Sequence, residues 1–222
     1  MNQSIVWQLV VKDLRLAWPL VAGSLVLGVL SFVVSPWSAL TFFVGGSVLV
    51  IALILLNVML VSQSLIAERK EKIRVFMLSM PVSTTQYSVA KLLSSLIAYL
   101  VPAVLLTLGG VILLLATPLP NGFVPLFVAT SVHCLLYFCV FLAFALVTDS
   151  QGWITTVIVC GNVSVSFVIP GLINLSSIQG SLGAEVAVWS ADVVAFIAIE
   201  LVLAVAALAI SFVVNSRKTE FV

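Results

Sequence analysis

Residues 39–74 read ALTFFVGGSVLVIALILLNVMLVSQSLIAERKEKIR. From 39 to 63 there is no Asp, Glu, Lys or Arg, and then Glu68, Arg69, Lys70, Glu71, Lys72 and Arg74 crowd into seven positions. A helix needs about 20 apolar residues to cross a hydrocarbon core roughly 30 Å thick. The run is long enough, and the charge cluster marks where the chain leaves the bilayer.

The same pattern recurs on both sides of this stretch. Runs at about 17–35, 39–63, 92–116, 123–147, 152–174 and 193–214 each meet the length requirement. Turn sequences separate them: Ser35-Pro36-Trp37-Ser38, residues 117–122 (TPLPNG) and residues 149–152 (DSQG). Ile169-Pro170-Gly171 predicts a bend or an end in the fifth run. Hydrophobic residues make up 63% of the 222-residue chain and charged residues 8%, against roughly 25% charged in a soluble domain. Too little polar material exists to cover a water-exposed surface. The fold class is therefore all-α: one polytopic membrane domain over residues 1–222 with about six transmembrane helices.

The placement of charge orients it. With six spans, Lys12, Arg15, Arg69, Lys70, Lys72, Arg74, Lys91, Arg217 and Lys218 all fall on one side, and the other side carries only Glu185 and Asp192. The positive-inside rule makes the basic side cytoplasmic and puts both termini there. Lys12 and Arg15 ahead of the run at 17–34 resemble a signal peptide, but no A-x-A-like site follows, so the run reads as a retained helix.

Three segments lie outside the spans. In residues 1–16, Ser4, Gln8, Lys12 and Arg15 share one helical stripe, which predicts an amphipathic helix in the cytoplasmic interface; the alternative is a plain extension of the first span. Residues 64–91 form the long cytoplasmic elbow. Glu68 and Lys72 are spaced for a short helix, Val75 to Leu78 make an apolar patch before Pro81, and Ser83 with Gln86 forms a capping box that starts a new helix near Thr84. Residues 174–191, with Gly180 and Gly183, read equally as an outer loop or as a re-entrant hairpin.

Motifs of chemistry are few. There is no GxxxxGK[ST], GxGxxG or HExxH. Cys134, Cys139 and Cys160 sit in apolar runs and read as small hydrophobes. His133, the sole histidine, cannot make a zinc site with Cys134 alone and reads as a packing residue. Asp149 is out of its reach on a straight helix, so no catalytic constellation is expected. Glu200 is the one acid inside a span, where ionisation costs on the order of 2.5–3.5 kcal/mol. Such a residue faces the bundle interior or a wet cavity, so Glu200 is a candidate for a transport path or for a buried hydrogen bond to Asn162 or a serine. Asn57 and Asn162 are weaker candidates of the same kind. Gly161, Asn162 and Ser166 make a small polar patch suited to close helix packing.

At the elbow, residues 68–72 (ERKEK), 76–83 (FMLSMPVS) and 90–93 (AKLL), in that order, resemble ABC-2-type transporter permeases. Those carry an acidic residue, a basic stretch, a phrase like LLSLP-V-S and a Lys-led start to the third span. Residues 11–16 (VKDLRL) resemble the opening of small bacterial members. Met80 stands where Leu is commoner. The resemblance implies a permease subunit of an ATP-binding cassette exporter in a bacterial inner membrane, paired with a second copy or a related subunit. A separate P-loop ATPase would bind ATP and Mg, so this chain would hold no cofactor and would not itself be an enzyme. It also implies that Glu68, Arg69, Lys70, Glu71, Lys72 and Arg74 form the ATPase-coupling segment, and that cargo is lipid-like, peptide or otherwise amphipathic. Membrane lipid is the other expected contact, and nucleic acid is not. The competing readings are an ion-coupled secondary transporter, which lacks the internal repeat that class usually shows, and a membrane assembly factor.

Overall fold

The computed structural model describes residues 3–67, 84–148 and 150–216. The coupling residues Glu68 to Arg74, the Ser83 cap, Asp149, Arg217 and Lys218 lie outside the described residues. Seven helices are described: α1 (Gln3–Val34), α2 (Ala39–Val61), α3 (Thr84–Ala116), α4 (Phe123–Val147), α5 (Gln151–Ile173), α6 (Ser176–Gln179) and α7 (Ala191–Ser216). All but the short α6 are long and apolar enough to cross a membrane.

The helix boundaries follow the punctuation. Ser35–Trp37 makes a 3-10 turn after α1. Ser38 then caps α2: its hydroxyl accepts from the Thr41 amide, while the Thr41 hydroxyl accepts from the Ser38 amide at 2.8 Å. A π-helical turn, Ser62–Ala67, follows α2. α3 begins at Thr84, where the sequence places a helix start.

Two helices run on where the sequence offers a break. α1 runs unbroken from Gln3 to Val34, so the helix expected at 1–16 and the first span are one element. No turn residue separates them, and Pro19 removes only its own bond to the carbonyl of Arg15. The N-terminal part is held to the bundle by Val6 and Val10 packing with Ala90 of α3. α5 likewise passes through Pro170 and ends at Ile173, with the Asn174 amide bonded to the Pro170 carbonyl.

The segment expected as loop or hairpin at 174–191 contains one short helix, α6, and then irregular chain. It folds over the start of α4. The Gly122 amide donates to the Ala184 carbonyl at 3.1 Å and Asn121 Nδ2 to the Glu185 carbonyl at 2.7 Å. An added Cβ at Gly122 would overlap the Ser181 backbone oxygen, so this approach needs glycine. Ile178 is buried with Leu126, Leu172 and Val193.

α4 is the hub. It packs against α7, α5, α3 and α2, whereas α1 packs mainly on α3 and α2. Of the apolar stretch of α4, 61% is buried, against 11% in α5 and 17% in α7. Tyr99 of α3 stacks on Phe138 of α4 with ring centres 4.1 Å apart, and both rings are fully buried. Helices that bury so little of an apolar surface suit lipid on their outer faces.

Candidate functional site

Near the middle of the bundle three helices bring polar side chains together. His133 comes from α4, Glu200 from α7 and Ser164 from α5. His133 Nδ1 lies 2.8 and 3.0 Å from the two carboxylate oxygens of Glu200, and His133 Nε2 lies 3.1 Å from Ser164 Oγ. Both His133 and Glu200 are 6% exposed. His133 is ten residues into α4, roughly 15 Å from its start, which is half of a hydrocarbon core.

Hydrogen-bond chemistry constrains the protons. Two bare acceptors do not approach to 2.8 Å, so a proton lies between Nδ1 and the carboxylate. Ser164 Oγ donates to the Gly161 carbonyl at 2.7 Å, its shorter contact. Its hydroxyl hydrogen is therefore used, and Nε2–H of His133 donates to Ser164. The pair is net neutral, as ion pair or as acid with imidazole, and that suits a site buried in apolar surroundings.

The order Ser–His–Glu resembles a hydrolase triad, but the arrangement differs where it matters. The Ser164 hydrogen points to Gly161, not to the imidazole. Ser164 also sits inside a helix whose amides are already hydrogen-bonded, so no free donors stand ready for an oxyanion. The arrangement can hold a shared proton and present donors; it is not built for acyl transfer.

Beside it, α4 and α5 leave a crevice of about 440 Å³. His133 and Ser164 line its inner end, and Leu136, Val140, Phe144 and Trp153 line its length. The helices meet closely at this end because residue 161 is glycine: an added Cβ there would overlap the Tyr137 ring.

A second polar cluster lies at the basic end of the bundle. Lys91 Nζ of α3 is 2.8 Å from Asp13 Oδ2 of α1, with side chains 3% and 9% exposed. Ser94 Oγ donates to the same oxygen at 3.3 Å. Asn215 Nδ2 of α7 donates to Ser88 Oγ of α3. The first turns of α3 are thus tied to α1 and to α7. A small cavity of about 30 Å³ adjoins Asp13, bordered by Gln63, Ser64, Ser94 and Ser95, enough for a water or two.

Of the residues the sequence singles out, Glu200 is buried as expected of an intramembrane acid, but its partner is His133 and not Asn162 or a serine. Asn162 Nδ2 instead donates to the Ile158 carbonyl at 2.8 Å and lies 3.4 Å from the Tyr137 hydroxyl. Asn57 is 1% exposed, and its amide has no hydrogen-bond partner among the described residues. Gly161 serves close packing, while Ser166 is exposed and donates to the Asn162 carbonyl of its own helix. His133, Ser164, Asp13 and the role of Lys91 were not singled out as functional. An intramembrane histidine with an intramembrane acid was the available signal for the first pair.

Among curated proteins and among solved structures, no match to this chain is found. The family model for ABC-2 family transporter proteins matches residues 34–205, from the end of α1 into α7. That match covers most of the bundle, the elbow included, and it agrees with six membrane-crossing helices. The chain belongs to the ABC-2 transporter family, as a membrane permease component.

Proposed function

We propose that this chain is the transmembrane subunit of an ATP-driven exporter, working with a second copy or a related subunit and with a separate P-loop ATPase that docks on residues 68–74. Its termini and its elbow face the cytoplasm of a bacterial cell, and its cargo is amphipathic. The observation that carries the reading, beside family membership, is how α3 leaves the elbow. Its first turns are tied to α1 by Lys91–Asp13 and to α7 by Ser88–Asn215. A push on the elbow then moves α3 with two other helices and not alone. Mixed charges on the elbow suit orientation against a partner surface.

Purification in nanodiscs from native membranes, with mass spectrometry of what accompanies the chain, tests this. A stoichiometric P-loop protein is expected, and it should be lost when Arg69, Lys70 and Lys72 are changed together to Glu. Retention of the ATPase with full coupling of hydrolysis to transport in that variant would move the docking site elsewhere. The His133–Glu200 pair is the one observation favouring an ion-coupled alternative. Transport driven by a proton gradient, with no ATPase associated, would establish that alternative.

A further inference from the structure

We infer that the cavity beside Asp13 is a water-binding joint. One or two ordered waters, bonded to Ser64 Oγ, Ser95 Oγ and the Asp13 carboxylate, tie the π turn at the end of α2 to the α1–α3 pair. Only the purpose of that tie, passing motion from residues 68–74 to α1 and α3, rests on the transport reading. The water site itself does not.

The first observation is what two serines do with their hydroxyls. A serine inside a helix readily bonds a carbonyl three or four residues back. Ser24 does so with Val21, Ser31 with Gly28, Ser35 with Ser31 and Ser211 with Leu208. Ser64 and Ser95 do not. Both hydroxyl oxygens are buried without a hydrogen-bond partner among the described residues, and Ser95 as a whole is 3% exposed. Both residues line the same cavity. An unpaired buried hydroxyl is destabilising. Two that forgo their own carbonyls at one cavity wall point to an occupant that bonds both.

The size and charge of the cavity choose the occupant. About 30 Å³ admits a water or two and nothing larger. A buried water needs two to four polar partners, and the wall offers Ser64, Ser95, the Asp13 carboxylate and Gln63. A metal cation fits poorly. Lys91 Nζ, 2.8 Å from Asp13 Oδ2, already balances the carboxylate, and a second cation would meet that ammonium at close range. Water is neutral, and it can donate to the carboxylate while accepting from the hydroxyls. Gln63 and Leu16 at the rim are exposed, so water can come and go at the basic end of the bundle.

The walls come from three elements. Asp13 belongs to α1, Ser95 to α3 and Ser64 to the π turn Ser62–Ala67. Turns with this wider bonding are frequent at functional sites. Leu65, next to Ser64, is buried in the core with Leu60 and Ala98, which holds the turn against the cavity. Ser64 makes no direct bond to either helix. A bridging water is enthalpically nearly as good as a direct bond, and it can follow a small shift that would break one.

The full chain in liposomes, without nucleotide or ATPase, serves for the test. Solid-state NMR reads magnetisation passed from water to serine side chains. It should reach Ser64 and Ser95 several-fold faster than the self-bonded Ser24 and Ser31. Equal rates at all four would show a dry cavity and overturn the site. Thermal unfolding adds a test of sign. In a dry cavity, Ser64→Ala and Ser95→Ala each delete an unpaired hydroxyl, and the melting temperature holds or rises. In a wet one, each deletes a ligand of the water. The temperature should then fall for either variant, and for both together by less than the sum, because they share the water. Hydrogen exchange of amides 62–67 should speed up several-fold in the double variant, while that of 91–95 stays unchanged because Asp13 still holds Lys91. Unaltered exchange at 62–67 would leave the turn untied and overturn the joint. Stabilisation by sodium or potassium chloride but not by choline chloride, lost in Ser95→Ala, would put a cation in the water's place and overturn it as well. Purification without an ATPase would sink the transport reading and leave each of these results standing.

Discussion

Among the described residues, two buried acid–base pairs tie helices of this bundle together, and they are held differently. Asp13–Lys91 joins α1 to α3 at the basic end, with a serine on the same carboxylate oxygen and a tie to α7 one turn away. His133–Glu200 joins α4 to α7 at mid-depth, and the far nitrogen of the imidazole faces a crevice. The first pair sets an amine 2.8 Å from a carboxylate oxygen, and the small cavity beside it has no room for a ligand beyond water. The second shares a proton, and its other imidazole nitrogen is bonded to Ser164 beside the crevice. Both pairs hold helices in register, but only the second has a nitrogen at the wall of a crevice, where a role beyond register would show. Comparing their mutants can separate the two roles.

The largest effect should come from Lys91→Met. It leaves the Asp13 carboxylate buried with the Ser94 hydroxyl and, among the described cations, Lys12, 3.8 Å away and 42% exposed, which gives little compensation. Removing one partner of a buried pair costs about 3–5 kcal/mol. Thermal unfolding in nanodiscs should show a clear drop. Asp13→Asn combined with Lys91→Met should recover most of it, because no uncompensated charge remains. If the single variant is as stable as the parent, the pair is not what registers α1 against α3.

Glu200→Gln should do less to the fold. The amide can still donate to Nδ1 of a neutral imidazole, so the loss is one charge-assisted bond exchanged for an ordinary one, about 1 kcal/mol. The shared proton is gone, however, so a transport cycle that uses that proton should slow while the protein stays folded. A Glu200→Gln variant destabilised as much as Lys91→Met, with transport per folded molecule unchanged, would make both pairs structural and erase the distinction.

How much of this was legible beforehand depends on range. The spans, the turns and the start of α3 are local: apolar length, Pro and Gly punctuation and a cap state them within a few residues. Glu200 stood out alone because an acid in a span is costly wherever it points. Its partner did not, because His133 and Glu200 are 67 residues apart and which helices adjoin in lipid leaves no trace in hydropathy. Asn162 looked a fitting partner by composition, yet its own helix and Tyr137 satisfy it. The sequence shows Asp13 only as part of VKDLRL, and Lys91 only as a marker of sidedness and of the start of the third span. Their contact needs α1 to run on as one helix and lie along α3, and the polar stripe on residues 1–16 pointed instead to the membrane surface.

The smallest effect should come from Asn121→Ala, and it says what makes the two pairs matter. Asn121 bonds the Glu185 carbonyl across 64 residues, a sequence span close to that of His133–Glu200. It sits in the turn between α3 and α4, at the end of the bundle where the chain is partly exposed. Water can replace the bond, and truncation also removes the buried amide oxygen that has no partner among the described residues. The net loss should stay at or below about 1 kcal/mol, read as a shift of a degree or two in the same unfolding measurement. A loss as large as that of Lys91→Met would mean that long-range closure of the chain, and not desolvation, sets the cost of breaking a polar tie here. The contrast between the two buried pairs would then have to be explained by position along the chain and not by the proton they share or the charges they hide.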